Sequence, residues 1–241
     1  MPNKAKLYIG FTIAAGFATL ASGFLFERQF PDSSRFYSYF LLAIIASTLK
    51  VRLPGIRGTM SVNFLFILLG TTELTFPETM LMGCAAAVVQ CVWKPKRRPQ
   101  TVQVLFNVAV LALSIGVSYH VSHYVLTPAL NSLSTLLALT TSLYFVTNTL
   151  LVAAVLALVE QGSLQAIWRQ CNLWTLPYYL AGAAISGLIA VSSRSVGWKV
   201  PLLMLPLMYL IYAYYRTFMA RVSQEPIHPG AKVAGRESQP G

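Results

Sequence analysis

Between Lys50 and Arg98 the chain carries two short apolar runs, residues 61–70 and 80–93, joined by an acidic connector with Glu73, Pro77 and Glu78. Basic clusters flank the pair on both sides. A helix needs roughly 20 residues to cross the hydrocarbon core of a bilayer. Each run therefore either recruits polar neighbours to complete a crossing or enters the membrane and returns.

The surrounding chain leaves little doubt about its solvent. Hydrophobic residues make up 56% of the 241 and charged residues only 10%, whereas soluble domains carry about 25% charged residues. The formal net charge of +11 does not indicate nucleic acid, because the cations lie in the gaps between apolar segments, as orientation signals do. Apolar periodicity predicts further spans over 7–26, 34–49, 102–125, 133–158, 173–191 and 200–219. The first is too long for a signal-peptide core and stays as a permanent helix. The RLPGIRG segment breaks the chain after the second span, since Pro54 lacks a donor and Gly55 and Gly58 relax the backbone. Helix three then starts near Thr59.

The expected fold is all-α, a polytopic transmembrane helical bundle of about eight spans, or six plus a re-entrant pair. With eight spans and an inside N-terminus, the inner loops and ends collect Lys4, Lys6, Lys50, Arg52, Arg57, Lys94, Lys96, Arg97, Arg98, Arg169, Arg216, Arg221, Lys232 and Arg236. The outer side keeps Arg28, Arg35, Arg194 and Lys199. This asymmetry places both termini in the cytoplasm. A re-entrant pair entering from the cytoplasm leaves the same charges inside. Tyr37 and Tyr39 are expected at one membrane interface. The helical domain covers 1–221, its last helix running a turn or two into the cytosol, and the Pro- and Gly-rich tail within 222–241 is expected to be disordered. That leaves no room for a soluble catalytic domain.

Ionisable groups at membrane depth are costly and usually functional. Glu73 and Glu78, with Asn63, Thr71, Thr72 and Thr75, would line a polar pocket if the pair bends within the bilayer. The plainer reading makes residues 71–78 an outside loop, with Pro77 and Glu78 starting helix four, where an acid favours the helix dipole. Asn107, Asn148 and Gln90 fall inside spans; interhelical hydrogen bonding is the default for such amides, and the two asparagines join the ligand-binding candidates. His120 and His123, three apart, share one face of helix five. Two histidines alone do not make a metal site. Arg28, Arg35, Arg194 and Lys199 form a solvated outer rim. Cys84, Cys91 and Cys171 lack CxxC spacing and read as small buried residues. No HExxH, GxSxG or Walker pattern occurs. The chain is therefore read as a non-enzyme, with no cofactor and no metal.

The order VRLPGIRGTMSVNFLFILLG, ELTFPETMLMGCAAAVVQCVW, LFNVAVLALS, FVTNTLLVAAVLALVEQG resembles the MASE-type membrane sensor modules that precede cytoplasmic GGDEF or HD-GYP domains in bacterial signalling proteins. The resemblance covers about 36–220. It implies a multi-pass sensor in a bacterial inner membrane whose final helix hands a signal to a cytosolic output. Only a short tail follows Arg221, so the output is expected from a separate cytosolic signalling protein. The layout is also similar to the substrate-binding subunits of energy-coupling-factor transporters, whose partner would be an ATPase. The other expected partners are the lipid bilayer and a second copy of the chain.

Overall fold

The computed structural model describes residues 1–26, 33–52, 59–95, 98–126, 133–196 and 205–224. Its helices are α1 (Asn3–Phe26), α2 (Ser33–Thr48), α3 (Phe64–Glu73), α4 (Phe76–Val92), α5 (Thr101–His120), α6 (Leu133–Glu160), α7 (Leu164–Val196) and α8 (Leu205–Gln224). A π-helical turn, Val121–Leu126, prolongs α5. Between α2 and α3 lies a short antiparallel ribbon, β1 (Lys50–Arg52) with β2 (Thr59–Ser61), in the register Lys50 to Ser61. The expected helical start near Thr59 is thus corrected. Residues 59–61 are extended and paired with β1, and α3 begins only at Phe64.

Among the described residues four helices are long and apolar enough to cross a membrane: Asn3–Leu25, Thr101–Tyr124, Ser134–Glu160 and Thr175–Ser192. They form the outer frame. Leu7, Phe11 and Leu25 of α1 are exposed, which suits a lipid-facing helix, because hydrocarbon solvates apolar side chains and backbone polar groups are satisfied within the helix. Helices α1 and α5 run in the same direction in close contact: a Cβ on Gly16 would meet the Cα of Ala109 at 2.5 Å. Small residues permit this approach, and dispersion across it holds membrane helices together.

Of the short pair, α3 lies inside, while α4 leaves Leu81, Val88 and Val92 exposed. Phe66, Ile67, Leu68 and Leu69 are all 0% exposed, so α3 is apolar all round because protein surrounds it on every side. Its neighbours are α2, α4, α5, α6 and α7. Phe64 stacks at a tilt on Tyr178 and Tyr179 of α7, with centroids 4.9 and 4.7 Å apart. Ser186 of α7 donates to the Leu65 carbonyl at 3.1 Å. At ten residues α3 is about 15 Å long, about half the hydrocarbon thickness. The extended residues before it supply further reach.

The bundle has two distinct ends. At the ribbon end, Lys50 Nζ donates to the Trp93 carbonyl at 2.5 Å, and Ser61 Oγ lies 2.8 Å from Gln90 Oε1. At the connector end, the α3–α4 junction meets the start of α2 and the close of α5. Helix α7 starts nine residues before the expected 173 and contains Pro177. Helix α8 extends to Gln224, three residues into the stretch 222–241. The tail expected to be disordered beyond it lies outside the described residues.

Candidate functional site

Leu74 and Thr75 join α3 to α4. Thr75 is extended, with φ −71° and ψ 162°, and Pro77 falls in the first turn of α4, where its missing N–H and fixed φ suit a helix start. Glu78, three residues on, folds back over the junction. Its Oε2 accepts from the Thr75 backbone N–H and from Thr75 Oγ1, both at 2.9 Å. This reciprocal cap satisfies donors that a helix start leaves orphaned. The helix-start reading of Pro77 and Glu78 is therefore what the backbone adopts. Glu78 is nonetheless 1% exposed, and its other oxygen, Oε1, has no hydrogen-bond partner.

Glu73 ends α3 and turns toward α2. Tyr39 Oη donates to Glu73 Oε2 at 2.5 Å, and Arg35 Nη1 lies 3.8 Å from the same oxygen. Hydrogen bonds to an ionised acceptor are short and about twice as strong as neutral ones. Tyr39 is 0% exposed, packed inside the protein. Tyr37, two residues away on the other face, is exposed. Arg35 leaves the expected solvated rim to face Glu73. Arg28 and Lys199 lie outside the described residues.

The π-helical turn brings a third element to the junction. His123 Nε2–H donates to the Thr71 carbonyl at 2.6 Å, and its ring stacks on Tyr119 with centroids 4.2 Å apart. His120 instead directs Nδ1–H to the Gly116 carbonyl at 2.9 Å and meets Phe76 edge-on at 4.5 Å. Both histidine rings lie against Tyr119, His120 at the end of α5 and His123 within the π-turn. Each imidazole is committed to a different carbonyl.

The three asparagines lie elsewhere. Asn63 precedes α3 at its far end, about 15 Å along the axis from Glu73; its Oδ1 accepts from Ser61 Oγ at 2.7 Å, and its buried Nδ2 has no partner. Asn107 Nδ2 lies 3.2 Å from Cys91 Sγ. Asn148 Nδ2 donates to Tyr179 Oη at 2.9 Å, bridging α6 and α7. Asn107 and Asn148 thus make interhelical bonds, and the five candidates do not converge on one pocket. At the ribbon end burial holds the Lys50 ammonium below its ordinary value, against the opposing influence of Cys91.

The site at the connector is therefore Arg35, Tyr39, Glu73, Glu78 and His123. Sequence reading placed Arg35 on an outer rim and Tyr39 at a membrane interface but did not join either to Glu73, although their spacing of four places them on one helical face. His123 was seen but not its direction, which depends on the π-turn. Among the described residues no group of three or more His, Cys, Asp or Glu could hold a metal ion.

A family model for MASE9, a MASE-type membrane-associated sensor domain, matches residues 21–218. The chain belongs to the MASE9 family. The match runs from the end of α1 through α8 and includes the connector site. It agrees with the resemblance carried by the apolar segments. No curated protein and no solved structure matches this MASE9 chain.

Proposed function

We propose that this MASE9 chain is a non-enzymatic, multi-pass sensor of a bacterial inner membrane that relays a signal from the connector to a cytosolic partner through its last helix. The observation that carries the reading is the path through the short pair. The connector holds Glu73 against Tyr39 and Arg35 at one end, and α8 packs on β1 at the other. Helix α3, buried from Phe64 to Thr71, lies between them, and packed elements of this kind transmit small displacements because they cannot deform continuously.

In this reading the bundle crosses the membrane eight times, with both termini inside. The connector faces out, because its end of the bundle lies opposite the cation-rich ribbon end. A stimulus acts by favouring one of two arrangements of the connector, which requires contacts that differ between them. Tyr212, partly buried against the main core, couples α8 to that choice.

A fusion in which a diguanylate cyclase module follows Gln224 tests the relay in native-like membranes. Glu73→Gln, which breaks the ionic part of the contact with Arg35, is expected to change cyclase output by about fivefold or more. A control substitution at exposed Leu180 should leave it unchanged. Equal output from the Glu73 variant and the parent fusion would overturn the reading. Energised solute uptake by vesicles carrying the chain with a partner ATPase would favour a transporter subunit instead.

A further inference from the structure

Among the described residues Glu78 is the one buried carboxylate with an oxygen that nothing satisfies. Its side chain is 1% exposed, Oε2 is fully used by Thr75, and Oε1 is without a partner. Burying a carboxylate is tolerated when a counter-charge or further hydrogen bonds meet it. Arg35 does not supply that charge to Glu78, since it lies against Glu73.

The residues around the connector carry oxygen donors. Helix α3 is a half-length helix that ends at the connector, and the carbonyls at the C-terminus of such a helix carry partial negative charge and coordinate small cations in membrane proteins. Hydroxyl oxygens are close at hand. Thr75 Oγ1 bonds the same carboxylate, and Thr79 Oγ1, next along α4, lies 3.1 Å from where a Cβ on Gly70 would be. The donors are all oxygen, with one unbalanced carboxylate. Divalent ions of this kind usually draw on several carboxylates, and softer metals prefer His and Cys.

We propose that the connector binds one monovalent metal cation, sodium or potassium, through Glu78 Oε1, hydroxyl oxygens of Thr75 or Thr79 and carbonyl oxygens at the end of α3. The proposal rests on the sensor reading only for its consequence: occupancy would be the input. The binding itself stands on Glu78.

The test is thermal unfolding of the full chain in lipid nanodiscs, in sodium, potassium or N-methylglucamine chloride at equal ionic strength. Sodium or potassium is expected to raise the Tm saturably, by about 5 °C at high occupancy. In Glu78→Gln the shift should vanish, while the uncharged amide still caps Thr75 and keeps the fold. A Tm independent of the cation, or a shift of the same size in Glu78→Gln, would overturn the proposal. So would a Tm that follows pH in N-methylglucamine and loses that dependence in the variant, which would assign a proton instead. Because this readout does not involve the cyclase fusion, loss of the cation site and loss of the relay are separate results.

Discussion

Phe64 occupies the space that a side chain at Gly182 would need: a Cβ there would lie 1.9 Å from Phe64 Cζ. The absence of a side chain on α7 lets the first residue of α3 lie between Tyr178 and Tyr179. Gly182→Ala is expected to destabilise the bundle by about 1–3 kcal/mol through overpacking. Thermal unfolding in detergent checks the value. The cost should fall in a Phe64→Leu background, since contacting residues are not additive. An equal cost in both backgrounds would show that the clash is not the cause.

The Tyr39–Glu73 bond ties α2 to the end of α3. Tyr39→Phe removes only a hydroxyl, and the loss of a hydrogen bond to a charged group should cost about 1.5–3 kcal/mol. In a double-mutant cycle with Glu73→Gln the two losses should not add. Additive effects would mean that the pair is not coupled.

Gln161 follows α6 with φ 54°, a left-handed conformation that side chains disfavour. Gly162 N–H bonds back to the Ala157 carbonyl at 3.1 Å, the pattern of a Schellman stop, where glycine usually takes the left-handed position. Gln161→Gly should therefore stabilise the chain by about 0.5–1 kcal/mol after the entropy of glycine is counted. A lower Tm for this variant would refute the account.

Labelling tests whether the short pair crosses. In a background with the native cysteines replaced by alanine, Thr72→Cys and Lys94→Cys should react with a membrane-impermeant maleimide from opposite faces of the bilayer. Both sites are accessible in part, Thr72 half-buried and Lys94 exposed. Reaction of both from the same face would make the pair re-entrant and reduce the crossings to six.

Much of the helical layout was legible because apolar runs bounded by cations, prolines and glycines leave few alternatives in hydrocarbon. The starts of α1, α2, α5 and α6 fall within a few residues of the expected ones, and α8 continues past the apolar stretch as its alternating pattern predicts. The start of α3 was misread because TMS before the apolar run is compatible with helix or strand. Its partner in the ribbon, KVR, is nine residues earlier, across a Pro–Gly break.

The candidate site divides in the same way. Local sequence alone identified Glu78 as a helix-start acid, since Pro77 and the helix dipole mark such a start without any distant residue. It could not say that Tyr39 bonds Glu73 across 34 positions, or that His123 in the π-turn bonds Thr71, because those contacts form only when separate helices pack. The order of apolar and charged residues determined by itself that this is a membrane bundle with an unusual short pair. Tertiary packing decided that α3 lies at the centre and that one carboxylate oxygen is shut away without a partner, since burial is set by neighbours distant in the chain.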